Sequence, residues 1–278
     1  MFVENSNIPN KDLKTCISSI NINNMQNIKV QKCLDVYDSI SYHADIQMIH
    51  IGNNEIIIEP NMYDKYINEF EKIGLKCIKG QNSISNKYPK DVCYNGCIIG
   101  DYFIHNLKYT DPVLLEYVKK KGLKCINVEQ GYTKCNISIV NACSFITQDM
   151  GIYSGLKDIF DILYIQPDKS IKLGNMQGFI GGATGLIGYN KWFINGDINR
   201  LREKDKILDF LKSKNVEYIS IPGENIVDIG SIIPIKYIWF KSKNRRLNIF
   251  YFCFLDLIIL LHYFSSFIAC VAYFFSFS

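Results

Sequence analysis

The polar side chains best suited to chemistry fall in short segments whose alternation predicts β-strands. His43, Asp45 and Gln47 alternate with apolar residues, so in an extended strand their side chains project to one side. An imidazole and a carboxylate on one face can exchange protons, and the carboxylate can pair with a cation. The segment therefore predicts a site for a small polar or cationic ligand, with a hydrogen-bonded structural network as the alternative.

Further predicted strands bring more polar groups to the same place. Cys93 and Asn95 share a face of one strand, and Lys134 begins the next. A lysine near several carboxylates forms a charge-balanced pocket suited to a zwitterionic ligand, although a surface lysine paired with one carboxylate gives the same pattern. Strand alternation points Cys135 away from Lys134, so Cys135 is not assigned as a nucleophile. The predicted site residues are His43, Asp45, Gln47, Asp91, Cys93, Asn95, Lys134 and Asp228.

The sequence predicts neither a metal nor a cofactor. Ten cysteines are present, but no CxxC pair or Cys/His array has the spacing of a zinc site, which indicates reduced and mostly buried thiols. The glycine-rich segment 179–188 lacks the terminal Lys-Ser/Thr of a phosphate-binding loop and the spacing of a dinucleotide fingerprint. Its glycines instead predict turns or bulges where the chain closely approaches other backbone.

The elements that position these residues recur along the chain. The strings KIGLKCIKG at 72–80 and KKGLKCINV at 120–128 are nearly identical, and each follows an amphipathic helix and begins a short strand. Similar joins occur at Asn27 and Asn215, where asparagine can supply the left-handed stop of a glycine. The joins are 47, 48 and 93 residues apart, and since the last interval is close to twice the others, a further join is expected near residue 168.

Two more predicted strands precede the helices. The segments EIIIE, YFIH, SFIT and KWFIN lead into helices, and an inner strand precedes each of them. Five strand-strand-helix-strand units with this period are typical of closed propellers or solenoids. A helix and strand at roughly 11–33 lack preceding strands, whereas surplus strands stand at 226–240. This offset predicts that the two ends complete one unit, and hence a five-bladed α/β propeller over residues 1–240.

Five such units resemble the pentein, or guanidino-modifying-enzyme, fold of arginine deiminases, amidinotransferases and dimethylarginine dimethylaminohydrolases. The resemblance covers about residues 1–240. The strings YHADIQMIH, YPKDVCYNGCIIGDYFIHN and DIGSIIPI look most like those of an uncharacterised bacterial domain family with that fold. The resemblance implies acidic residues that hold a guanidinium, a histidine that acts as acid and base, and a cysteine in the last repeat that attacks the guanidinium carbon. Asp91 matches the acidic position.

The sequence departs from that pattern at both reactive positions. Tyr132 and Thr133 stand where several pentein enzymes carry histidine, and Gly230 and Ser231 stand where the nucleophilic cysteine is expected. We therefore expect a non-catalytic protein that binds a small polar or cationic metabolite in an axial pocket. Two alternatives stay open: a divergent guanidino or amidino hydrolase that uses a cysteine such as Cys93, and a structural or partner-binding propeller.

Charge and hydropathy change near residue 236. Residues 1–235 carry 26 basic and 26 acidic side chains, so the net charge of +4 comes from the remainder, and a balanced body argues against nucleic-acid binding. KSKNRR at 241–246 precedes an apolar run, which predicts a C-terminal transmembrane helix within 241–278. Since the N-terminus lacks the apolar core of a signal peptide, we expect a cytoplasmic body with a membrane anchor. A buried terminal element or an aberrant extension is the alternative.

Overall fold

The computed structural model describes residues 2–4 and 27–234, and its first two strands lie side by side. β1 (Phe2–Glu4) pairs parallel with β2 (Asn27–Lys29), with Phe2 opposite Asn27. The strand predicted after the join at Asn27 is therefore present. The helix predicted within 11–33 falls largely outside the described residues.

Two strand-strand-helix-strand units follow, and their sheets have the same topology. The inner strand pairs antiparallel with the middle strand, and the strand after the helix returns parallel to the middle strand. The first unit follows a one-turn helix, α1 (Ala44–Gln47), and contains β3 (Met48–His50), β4 (Glu55–Ile58), α2 (Pro60–Lys72) and β5 (Lys76–Lys79). The second unit contains β6 (Cys97–Ile99), β7 (Tyr102–His105), α3 (Pro112–Lys120) and β8 (Lys124–Asn127).

Two further units repeat this arrangement. The third unit follows the one-turn helix α4 (Thr133–Asn136) and contains β9 (Ile137–Asn141), β10 (Ser144–Thr147), α5 (Met150–Leu156) and β11 (Asp161–Tyr164). β12 (Ile171–Leu173) and β13 (Met176–Gln177) then form part of an extra sheet. The fourth unit contains β14 (Thr184–Gly188), β15 (Lys191–Ile194), α6 (Lys204–Ser213) and β16 (Glu217–Ile219). β17 (Ile226–Val227) completes the extra sheet by pairing with β12.

A sixth sheet draws strands from both ends of the described chain. β18 (Ile233–Pro234) pairs antiparallel with β1, so the strand order is β18-β1-β2. The sequence analysis expected both missing strands to come from 226–240. One of them is instead N-terminal, because Phe2–Glu4 supplies the middle strand.

Hydrogen bonds join consecutive units just before their inner strands. Each bond is 2.9–3.2 Å long, and the last one returns to the first unit. The bonds run from Asn95 Nδ2 to Asp45 O, Lys134 N to Asn95 O, Gly182 N to Cys135 O, Ser231 N to Gly182 O, and Asp45 N to Gly230 O. Segments that are distant in sequence are thereby held together at the start of the inner strands.

Local sequence explains where the helices bury side chains and where they end. Met62, Tyr66 and Phe70 recur at every fourth position of α2 and are fully buried. Gly74 after α2 and Asn215 after α6 have φ of +83° and +54°, the left-handed conformation predicted for these stops. The four predicted middle strands are confirmed as β4, β7, β10 and β15.

Two predicted positions are wrong. The inner strands begin later than expected, because the residues before them form single helical turns such as α1 and α4 or irregular segments. The join expected near residue 168 is also misplaced. Because α5 has only seven residues, the third unit is short and its last strand, β11, already ends at Tyr164. The strand at 171–173 belongs to the extra sheet.

The predicted membrane association is also corrected. Within residues 2–4 and 27–234, no helix is long and apolar enough to cross a bilayer. The segment on which the prediction of a transmembrane helix rested, 241–278, lies outside the described residues. The assignment of the membrane as a partner is therefore withdrawn.

Candidate functional site

Two helical turns bring the predicted polar residues together. Asp45 lies on α1 and Cys135 lies on α4, so strand alternation does not govern where their side chains point. The alternation from which Cys135 was expected to face away from Lys134 therefore does not apply, and Cys135 joins Asp45 in the cluster. Its Sγ donates a hydrogen bond to Asp45 Oδ2 over 3.2 Å.

The Asp45 carboxylate is the centre of this cluster. Its side chain is buried, and Oδ2 accepts a 2.6 Å hydrogen bond from Ser231 Oγ in addition to the one from Cys135. The other oxygen, Oδ1, has no hydrogen-bond partner among the described residues. A buried carboxylate oxygen without a donor is unfavourable, so Asp45 is prepared to accept a hydrogen bond from a ligand.

Asn95 holds the two helical turns in register. Its Nδ2 donates to Asp45 O at 3.1 Å and to Cys135 Sγ at 3.2 Å. Its Oδ1 accepts from the backbone N–H groups of Lys134 and Cys135, at 2.9 and 3.3 Å. Asn95 is therefore a positioning residue whose hydrogen-bonding capacity is used within the protein.

Lys134 adds a positive charge beside the Asp45 carboxylate, and Ser231 adds a strained backbone. Lys134 Nζ donates to Ser231 Oγ at 3.1 Å and lies 3.5 Å from the carbonyl oxygens of Ile137 and Gly181. Ser231 has a φ of +67°, a conformation that side-chain-bearing residues rarely adopt. Such strain is retained where the surrounding contacts require it, which is frequent at functional sites.

His43 and Asp228 form a second buried group beside Asp45. His43 Nδ1 lies 3.9 Å from Asp228 Oδ1, and neither ring nitrogen has a hydrogen-bond partner among the described residues. Asp228 accepts from the backbone N–H groups of Phe179 and Gly230. Burial, and then the nearby Asp45 carboxylate, raise the pKa of Asp228, although His43 opposes this shift.

Glycines allow these groups to approach each other. A Cβ on Gly182 would lie 2.0 Å from Asp228 Oδ1, and a Cβ on Gly230 would lie 2.4 Å from the Cα of His43. A Cβ on Gly181 would lie 2.5–2.6 Å from the carbonyl oxygens of the α4 region. The close backbone approach predicted for the glycine-rich segment 179–188 is therefore present.

Asp91 lies beside a row of aromatic rings. The Tyr132 hydroxyl donates a short hydrogen bond to Asp91 Oδ2, whereas Asp91 Oδ1 has no partner within the described part of the chain. The Tyr132 ring centroid is 6.3 Å from those of both Tyr88 and Phe179. Burial and the Asp91 carboxylate raise the pKa of Tyr132, so its hydroxyl stays protonated and continues to donate.

Two predicted site residues have other roles. Gln47 donates to Ser41 O and Gln31 O and accepts from the Tyr66 hydroxyl, so its side chain is fully engaged in a structural network. Cys93 packs in the core, and its Sγ donates to Lys90 O. Burial and the Asp111 carboxylate raise the pKa of Cys93 to about 11, which leaves its thiol protonated.

Three site residues were missed by sequence reasoning. Cys135 and Tyr132 belong to the run YTKCN, and its polar composition is a signal of a turn rather than of a strand. Ser231 belongs to DIGS, where Asp, Gly and Ser are typical turn residues. Both segments were assigned to strands because an apolar strand follows each of them.

The described residues lack the Cys/His pair that nucleophilic thiol catalysis commonly uses. Neither ring nitrogen of His43 contacts a cysteine within hydrogen-bond distance, and the His105 ring nitrogens lie near Thr110 Oγ1 and Gly131 O. Burial and the nearby Asp45 and Asp228 carboxylates raise the pKa of Cys135 well above its ordinary value. Among residues 2–4 and 27–234, no cluster of three or more His, Cys, Asp and Glu side chains could hold a metal ion.

The fold of repeated ββαβ units resembles that of the pentein enzymes. The structure is similar to an inosamine-phosphate amidinotransferase from Streptomyces griseus, with a TM-score of 0.51 and 9% identity over 80% of this chain and 76% of that one. It is also similar to a dimethylarginine dimethylaminohydrolase from Pseudomonas aeruginosa in complex with citrulline, with a TM-score of 0.51 and 8% identity over 79% and 91% of the two chains. At these identities the likeness establishes the α/β fold alone.

Within this class, the sequence assigns the chain to one family. Residues 8–233 match the model of a family of unknown function, DUF6873, and the chain belongs to that family. No curated protein matches its sequence. The pentein resemblance inferred from the repeats is thus confirmed.

Proposed function

We propose that the protein binds a small cationic metabolite, bearing a guanidinium, amidinium or ammonium group, where its inner strands begin. The observation that carries this proposal is a set of buried polar atoms without hydrogen-bond partners. Among the described residues, eight buried side-chain atoms lack a partner, and four of them are His43 Nδ1, His43 Nε2, Asp45 Oδ1 and Asp91 Oδ1; the others belong to His50, Glu59 and Ser170. Because unsatisfied buried groups are unfavourable, their concentration in one place is best explained by a ligand that completes them.

The charge of the cluster favours a cation. Three carboxyl groups, those of Asp45, Asp91 and Asp228, stand against one lysine and one histidine. Carboxylate oxygens pair well with planar nitrogen cations, whose several N–H groups can satisfy more than one acceptor at once. The aromatic rings of Tyr88, Tyr132 and Phe179 next to Asp91 would add favourable contact with a cation.

In this proposal the units form a closed five-bladed propeller around the site. The support is the series of hydrogen bonds that returns from Asp45 N to Gly230 O, together with the sheet that β1 and β2 share with β18. Closure of this kind would leave the inner strands without a free edge and would fix the polar residues of every unit around one axis.

Isothermal titration calorimetry of the full chain with methylguanidine, agmatine and arginine tests the binding proposal. Asp45→Asn should weaken binding at least tenfold, since it removes the charge at the open carboxylate oxygen. Asp101→Asn, which alters an exposed carboxylate, is the matched control and should bind as the wild type does. Absence of heat with all three compounds at millimolar concentration, or equal binding by both variants, would refute the proposal and favour a structural or partner-binding role.

A second candidate is hydrolysis of an amidino group through Cys135. The hydrogen bond from Cys135 Sγ to Asp45 Oδ2 favours it, because Asp45 could take the thiol proton as sulfur bonds to the amidinium carbon. The amine would then leave with the proton returned from Asp45, and water would release a ureido product and the free thiol. This function stands second because the raised pKa of Cys135 keeps the thiol protonated.

Ammonia release from agmatine, arginine and acetamidine separates the two functions. Hydrolysis through Cys135 predicts release that increases with pH, disappears in Cys135→Ala and persists in Cys143→Ala, where the altered cysteine is exposed. Binding without ammonia release would leave the non-catalytic function standing and eliminate the hydrolase.

A further inference from the structure

A cavity of about 550 Å³ extends from the polar site along the inner strands. Each of the five inner strands contributes an apolar side chain to its lining, namely Met48, Ile98, Ile139, Leu186 and Ile233. Ile98, Ile139 and Leu186 are only partly buried, although they lie on the inner strands of their units. The volume is in the range of cavities that bind small molecules, and the walls are of the kind that accept an apolar group.

Polar residues also line the cavity, among them His50, Asn141, Asn190 and Lys214, and one polar group lies at Asp45. Asp45, with its unpartnered Oδ1, and Lys134 both line it. The Lys134 amino group is already directed at Ser231 Oγ and at two carbonyl oxygens, whereas Asp45 Oδ1 receives no hydrogen bond from the part of the chain that the structure describes. The unused hydrogen-bonding capacity here is therefore that of an acceptor, Asp45 Oδ1. A hydrogen-bond donor on a ligand would satisfy it.

We infer that the ligand is an amphiphilic cation, whose amidinium, guanidinium or ammonium group lies at Asp45 and whose unbranched aliphatic chain lies along the cavity. This inference rests on the proposed function and adds the apolar part of the ligand. A short cation at Asp45 would leave the apolar walls uncovered. An anionic headgroup at this position would meet the Asp45 carboxylate with the Asp228 carboxyl group near it, which favours a cation there.

A series of n-alkylguanidines, from methyl to decyl, tests the inference with the full chain. Calorimetric titrations below the micellar concentration should show a Kd that falls about fourfold for each added methylene, as expected for transfer of a CH₂ group from water. The gain should stop at the chain length that fills the cavity. n-Alkyl sulfates of the same lengths should not bind, because they carry the opposite charge.

Three variants locate the two parts of the ligand. Leu186→Trp should reduce the chain length at which the gain stops, because the larger ring takes up part of the cavity. Ile98→Phe is a milder filling variant that serves if the tryptophan variant does not fold. Ile159→Trp, at a side chain that is 44% exposed, is the control and should leave the series unchanged. Asp45→Asn should weaken every member by the same factor and leave the dependence on chain length intact.

The outcomes distinguish this inference from the proposed function. If methylguanidine binds and longer chains bind no better, the inference is refuted and the proposed function stands. If no member of the series binds, both are refuted. If alkyl sulfates bind as tightly as alkylguanidines, the assignment of the head group to Asp45 is wrong.

Discussion

Asp111 and Asp45 are both buried aspartates beside a helix start, yet their surroundings differ. Asp111 is the N-cap of α3 and accepts four hydrogen bonds, from the N–H groups of Leu114, Gln81 and Asn82 and from the Tyr94 hydroxyl. Asp45 accepts two on one oxygen and none on the other. The hydrogen bonds of the Asp111 carboxylate are complete within the fold, whereas the Asp45 carboxylate can accept further hydrogen bonds.

The two histidines His105 and His43 show the same contrast. Both are buried, and His105 has Thr110 Oγ1 at 2.7 Å and Gly131 O at 3.2 Å from its ring nitrogens. His43 has no hydrogen-bond partner among the described residues. Buried polar residues therefore divide into those that stabilise the fold and those that the fold leaves incomplete. His43, Asp45 and Asp91, three of the six residues with unpartnered buried side-chain atoms among those described, lie before the inner strands, which is why we locate the site there.

The largest expected effect comes from the same substitution at the two aspartates. Asp111→Asn should lower the free energy of unfolding by about 3–4 kcal/mol, since its NH₂ group would face backbone donors that the carboxylate now satisfies. Asp45→Asn should change it by less than about 1 kcal/mol, because the NH₂ group can take the position of the unpartnered Oδ1. Urea denaturation measures both values. Equal losses in the two variants would remove the distinction between complete and incomplete carboxylates.

The repeats and the polar composition of the site were accessible from sequence, for physical reasons. Middle strands such as β4 and helix stops such as Gly74 and Asn215 follow from local rules, namely burial patterns and left-handed stops. Asp45 and Asp228 were identified because they belong to predicted inner strands, and Asp91 was identified because it matches the acidic position of the pentein enzymes.

The geometry of the site was not accessible, because it depends on one short helical turn per unit. A single turn fixes few hydrogen bonds and has little sequence signal of its own, so α1 and α4 were read as extensions of the strands that follow. That error removed Cys135 from the site and added Gln47. The contact between Ser231 and Asp45 joins residues 186 positions apart, and no local pattern reports such a contact.

A smaller loss of stability is expected when the pH is lowered. It comes from His105, the buried histidine whose ring nitrogens both have hydrogen-bond partners. Burial lowers the pKa of His105 from 6.5 to about 4. Since the unfolded chain then binds the proton more tightly, the contribution of neutral His105 to stability is lost as pH falls from about 6.5 to 4. The loss should amount to about 2–3 kcal/mol over that window.

Comparison with His105→Gln isolates this effect. Urea denaturation at several pH values should show that the difference in stability between the wild type and the variant shrinks as pH falls from 6.5 to 4. His50, whose pKa burial also lowers to about 4, is present in both proteins and cancels. A difference that stays constant with pH would mean that burial does not lower the pKa of His105.

The smallest expected effect separates strain from hydrogen bonding at Ser231. Ser231→Ala keeps the left-handed backbone and removes the hydroxyl that donates to Asp45, so it should lower the free energy of unfolding by about 1–2 kcal/mol. Ser231→Gly removes the same hydroxyl but relieves the backbone strain, and it should be about 1 kcal/mol more stable than the alanine variant. Urea denaturation of the two variants gives that difference directly. If the alanine and glycine variants are equally stable, the backbone at position 231 is not strained. The surroundings of Asp45 would then differ from those of Asp111 in their hydrogen bonds alone.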